Sequence, residues 1–122
     1  MTDDTSPDRL GASGVFGGGP DARFEFLPGV ERGPATVRAS GDIDLTNVGQ
    51  FQAALDQAAA TSGVITADMT AVSYCDSAAI RVLFGAARRV RLTIRVSTAG
   101  PITETLLKVS GLDQVATVAR LD

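Results

Sequence analysis

The sequence predicts a single α/β domain with a mixed, mostly parallel sheet, in the element order β-β-α-β-α-β-α-β, and helices packed on that sheet. Three observations carry the prediction. Short apolar runs alternate with longer segments of helical periodicity through the second half of the chain, which implies right-handed crossovers between parallel strands. Two strand-like runs come first with only turn residues between them, which implies an antiparallel hairpin. The length of 122 residues suits one domain with a real core.

Residues 1–21 are rich in Asp, Ser, Gly and Pro and read as a flexible N-terminal tail, with the domain spanning 22–122. The glycines at 11, 14, 17, 18 and 19 superficially suggest a phosphate loop. No strand precedes them and no Lys-Ser or Lys-Thr follows, so they do not support nucleotide binding. Arg23–Leu27 alternates polar and apolar residues, as does Ala35–Ser40. Pro28-Gly29 and Gly33-Pro34 punctuate the connection between them. Gly41-Asp42-Ile43-Asp44-Leu45-Thr46-Asn47 ends the second strand. Thr46 or Asn47 is placed to cap the next helix, with Asp44 near its positive end.

Val48, Phe51, Leu55 and Ala58 recur at helical spacing, and Gly63 is expected to stop that helix. Val64–Met69 reads as a strand buried on both faces. The stretch Tyr74-Cys75-Asp76-Ser77-Ala78-Ala79-Ile80 then brings an acid and a hydroxyl to a helix N-terminus. Ile80, Leu83, Phe84, Ala87 and Val90 form the inner face of that helix; Arg81, Gly85 and Arg88 form an outer one. Leu92–Val96 is a strand. Pro101 suits the first turn of a third helix, with Ile102, Leu106 and Val109 as its buried stripe. Ser110-Gly111-Leu112 reads as its end, with Gly111 left-handed, and Val115–Ala119 as a last strand.

Composition narrows the function. Apolar residues are 44 % of the chain, aromatics 5 %, and Trp is absent, so the core is aliphatic. The net charge of −3 provides no global basic field for nucleic acid. Histidine is absent, which removes Ser-His-Asp and Cys-His catalysis and the commonest metal ligand. The single Cys75 excludes an intrachain disulfide framework; it reads as a small buried residue rather than a redox centre. Asp42 and Asp44 are a weak metal pair without a third ligand. No window approaches the roughly 18 apolar residues of a membrane span, and no signal peptide is apparent. The expectation is a cytoplasmic, non-enzymatic protein with no cofactor and no nucleic-acid, membrane or small-molecule partner.

Taken in order, Gly41-Asp42-Ile43-Asp44, Asp76-Ser77-Ala78-Ala79-Ile80 and Ser110-Gly111-Leu112 resemble the STAS domain, specifically the bacterial anti-sigma factor antagonists. The resemblance covers roughly Phe24 to Arg120. It implies binding to an anti-sigma factor that is also a serine kinase, with loss of capture on phosphorylation of Ser77 and recovery through a serine phosphatase. It also implies that Asp76 and Asp44 correspond to the acids of the two motifs. Where relatives carry Ser then Gly, this chain has Ala78 then Ala79, which leaves Ser77 as the single acceptor of the loop. The partner-binding residues expected are Asp44, Asp76, Ser77, Ala78, Arg81 and Arg88. For the two arginines, a solvated helix face is the alternative. Two other readings compete: a STAS scaffold or subunit that does not cycle through phosphate, and a nucleotide-binding protein or enzyme on a flavodoxin-like sheet.

Overall fold

The structure is a computed structural model and describes residues 14–18, 22–29, 33–97 and 111–121. Its strands and helices follow in the order β1 (Gly14–Gly18), β2 (Ala22–Leu27), β3 (Ala35–Ile43), α1 (Val48–Thr61), β4 (Val64–Cys75), α2 (Ser77–Ala87), β5 (Arg91–Ser97), α3 (Leu112–Val115) and β6 (Thr117–Leu121). The six strands form one sheet in sequential order, β1 to β6. The first two pairings are antiparallel and the other three parallel. The mixed, mostly parallel α/β sheet is therefore as expected. One boundary differs. Gly14–Gly18, assigned to the tail by composition, pairs with β2 as an edge strand. Backbone hydrogen bonding is indifferent to the polarity that made this segment look tail-like. The helix expected from Pro101 lies outside the described residues.

Each parallel step moves one position across the sheet in the same direction, so right-handed crossovers put the connecting helices on one face. Burial follows that geometry. Phe26, Val37, Ala67 and Ile94 are in register across four strands and all are buried. Phe24 stacks on Phe51 of α1, with ring centroids 5.5 Å apart. Leu55, Ile65, Met69 and Leu83 fill the same layer without exposure.

The opposite face is polar. Glu25, Arg38, Asp68 and Arg95 lie side by side in register across β2 to β5. Asp68 is only 8 % exposed, 3.8 Å from Arg38 and 4.0 Å from Arg95. Its carboxylate also accepts from the Thr70 amide and hydroxyl. This corrects the reading of Val64–Met69 as buried on both faces. Ile65, Ala67 and Met69 face the helices, while Thr66 and Asp68 face the polar side. The strand looked doubly apolar because its outward positions are small or compensated by charges on neighbouring strands.

Two irregularities in the β3–β4 pairing, between Arg38 and Ser40 and between Gly41 and Asp42, each add one residue on β4. Gly41 carries φ +84° at the second of them, a left-handed conformation that a side chain would strain. After these bulges Cys75 points into the core and Tyr74 away from it. Gly111 is left-handed as expected (φ +90°), and Leu112 behind it is fully buried. Leu112 opens a short helical turn, however, so the last strand begins at Thr117 rather than Val115.

Candidate functional site

The carboxyl ends of β3 and β4 are adjacent, with Asp42 opposite Tyr74 and Ile43 opposite Cys75. The Asp76 amide donates to the Ile43 carbonyl at 3.2 Å, which ties the two loops together. Both acidic motifs of the sequence therefore meet at one end of the sheet, where open α/β sheets place their sites.

Asp76 is the N-cap of α2. Its backbone is extended, and its carboxylate Oδ1 accepts from the Ala78 amide at 2.9 Å. Its own carbonyl accepts from the Ala79 and Ile80 amides. Extended backbone and a short acceptor side chain are what an N-cap requires. Ser77 is then the first helical residue, and it is exposed. Ala78 is half-buried beside it. Ala79 is fully buried within the first turn, in helical conformation, so this helix start requires no glycine.

The start of α1 differs from expectation. Asn47 occupies the N-cap position, but its side chain makes no capping hydrogen bond to the helix. It reaches back instead: Oδ1 accepts from the Asp44 amide at 3.0 Å and Nδ2 donates to the Asp42 carbonyl at 2.9 Å. The Asp44 carbonyl takes the Asn47 and Val48 amides. The Asp44 carboxylate accepts from the Thr46 amide and hydroxyl. The Thr46 hydroxyl bond, then its amide, holds the Asp44 carboxyl below the usual carboxylate range. Asp44 is thus a charged, hydrogen-bonded residue of the loop that leads into α1.

Burial pushes the Cys75 thiol up to about 12, with the Asp76 charge adding to it. Such a thiol is neutral and unreactive near pH 7. Among the described residues no group of three or more His, Cys, Asp or Glu is placed to hold a metal ion.

The partner-binding residues expected from the sequence separate into two groups. Asp44, Asp76, Ser77 and Ala78 converge on this end, and Arg81 stands one turn further along α2. Arg88 does not join them. It lies eleven residues beyond Ser77, about 16 Å along the helix axis. There it lines a different groove with Gly63, Arg89, Arg91 and Val115. Two residues the sequence reading did not select stand at the same end of the sheet. Leu45 is 77 % exposed and Tyr74 is 56 % exposed, and they flank the acids as large apolar groups in water. The only sequence signal was a bulky residue inside each acidic motif. An open groove of about 300 Å³ between α1 and α2, lined by Val48, Gln52, Ala78, Arg81, Val82 and Gly85, continues from it.

Comparison with known proteins agrees with the fold. A family model described as "Mlab, STAS domain" matches residues 29–119. The chain belongs to the STAS domain family. Among solved structures, it is similar to an anti-sigma factor antagonist from Mycobacterium paratuberculosis. That match has 20 % identity and a TM-score of 0.66, and covers 77 % of this chain and 83 % of that one. It is also similar to the anti-sigma factor antagonist SpoIIAA in its unphosphorylated form (18 % identity, TM-score 0.56, 81 % and 87 % covered). The phosphorylated form of the Bacillus cell fate determinant SpoIIAA matches at 20 % identity and a TM-score of 0.57, with 79 % and 90 % covered. No curated relative matches the sequence.

Proposed function

We propose that this chain is an anti-sigma factor antagonist that acts by binding rather than by catalysis. Unmodified, it captures an anti-sigma factor that is also a serine kinase and so frees a sigma factor. Phosphorylation of Ser77 ends capture, and a serine phosphatase restores it. The observation that carries this reading is the placement of Ser77. It is an exposed hydroxyl at the first residue of α2, held beside the Asp76 cap and next to the Asp44 loop. Membership of the STAS family and the likeness to two anti-sigma factor antagonist structures support the same assignment.

The physical logic is local. Leu45 and Tyr74 offer apolar contact area, and the acids offer charge for a complementary basic surface. A phosphate on Ser77 adds roughly −1.5 to −2 charges at pH 7 to the middle of that surface. Burying an uncompensated dianion against a partner costs several kcal/mol, which is several decades of affinity.

The test is incubation with the cognate kinase and ATP, followed by intact mass and a binding titration. One phosphate is expected on the wild type and none on Ser77→Ala, which still captures the partner. Ser77→Glu is expected to weaken capture at least tenfold, about 1.4 kcal/mol. Phosphate uptake by Ser77→Ala overturns the site assignment. Capture of the partner without any phosphate uptake favours a STAS scaffold that does not cycle.

A further inference from the structure

A phosphate on Ser77 would stand at the start of α2, where free amides ordinarily receive an anion. Here most of that cradle is already occupied, the Ser77 amide alone among these first amides being left over. The Ala78 amide donates to the Asp76 carboxylate, and the Ala79 and Ile80 amides donate to the Asp76 carbonyl. The charges that face Ser77 among the described residues are also unhelpful. Asp76 is its chain neighbour, and Asp44 and Asp42 stand at the end of β3. Each carboxylate repels a dianion.

Among the described residues one cation is in reach. Arg81 follows Ser77 at i+4 on the same helix, so the two Cβ atoms stack about 5–6 Å apart. Its side chain is exposed and forms no ion pair among the described residues. Its other surroundings are apolar or neutral: Val48, Gln52, Ala78, Val82 and Gly85 line the groove beside it. Among the described residues no carboxylate pairs with the guanidinium. Arginine also matches phosphate oxygens with two parallel N–H donors.

We propose that Arg81 is the positioning residue of the modified state. It pairs with the phosphate on Ser77 and is thereby withdrawn from the groove between α1 and α2. The inference rests on the reading of Ser77 as a phospho-acceptor. It gives the switch two parts: the modification adds negative charge to the acidic end and removes the free cation from the adjoining helix surface. A partner that uses Arg81 loses that contact at the same moment as it meets the phosphate.

The test uses the full chain with phosphoserine installed at position 77 during translation, so no kinase has to be known. The second ionisation of the phosphate is followed by 31P NMR at low ionic strength. In the wild type its midpoint is expected about 0.4 unit below that of Arg81→Gln, or about 2.5-fold in proton affinity, the size of a single i,i+4 charge pair. Arg81→Lys is expected to restore part of the shift, and 0.5 M salt to diminish it. Coincident midpoints for wild type and Arg81→Gln overturn the proposal. So does a shift that Arg81→Lys fails to restore in any part. These results are independent of the kinase assay. Failure to find a kinase that modifies Ser77 removes the functional reading but leaves the titration to decide the pairing.

Discussion

At the residue scale the site is a set of small, specific decisions about amides. Asp76 spends its carboxylate on the Ala78 amide and its carbonyl on the next two. Truncating such a cap costs about 1 kcal/mol. Asp76→Ala is therefore expected to lower the unfolding free energy by about that amount in a urea titration, while Asp76→Asn, which keeps an acceptor, loses less. Asp44 supplies a pH dependence whose sign follows from its neighbours. Its folded pKa is depressed by Thr46, so its stabilising contribution is present above the ordinary carboxyl value of about 3.9 and is lost as pH falls below it. Comparing urea midpoints between pH 6 and pH 3 for wild type and Thr46→Val should show a steeper acid loss in the wild type. Cys75 makes the opposite statement on the alkaline side. With its thiol raised to about 12, it is expected to resist alkylation in the folded protein at pH 8 and to react once the chain is unfolded in urea.

At the element scale, α2 shows how far periodicity could be trusted. Ile80 and Leu83 are buried as their spacing implied, whereas Phe84, Ala87 and Val90 are only half-buried. Ala79 and Ala86 take the core positions instead, because a close helix–sheet approach suits a methyl group. The left-handed backbone at Gly111 was legible because φ +90° favours a residue without a side chain; in the structure it is the N-cap of α3. Gly111→Ala is expected to cost about 1–2 kcal/mol. Leu112→Ala, which empties a fully buried site, is expected to cost about 2–5 kcal/mol. Urea unfolding of the two variants checks both values, and the larger loss should belong to Leu112.

At the scale of the whole molecule, one sheet face carries the core and the other carries a cross-strand line of charge. The proposed switch lies at the end of the sheet, where Ser77 is exposed at the surface. Phosphorylation at Ser77 should therefore change the surface without changing the fold. Backbone amide spectra of the two forms are expected to differ around Asp42–Asn47 and Tyr74–Val82. Shifts spread through β2 and β5 would contradict a local switch.

The order of elements and the placing of Asp76 and Ser77 at a helix start could be read from the chain itself, because helical period, strand alternation and N-cap chemistry are local physics. Other features required the assembled sheet. The Glu25–Arg38–Asp68–Arg95 line exists only through strand register, and the pairing of Asp42 with Tyr74 depends on bulges in β4. The Asn47 side chain reaches the Asp42 carbonyl only because the loop folds back on β3. Local preferences fix what a residue is suited to do. Contacts between distant strands decide which neighbours it meets, and those depend on how the whole chain closes.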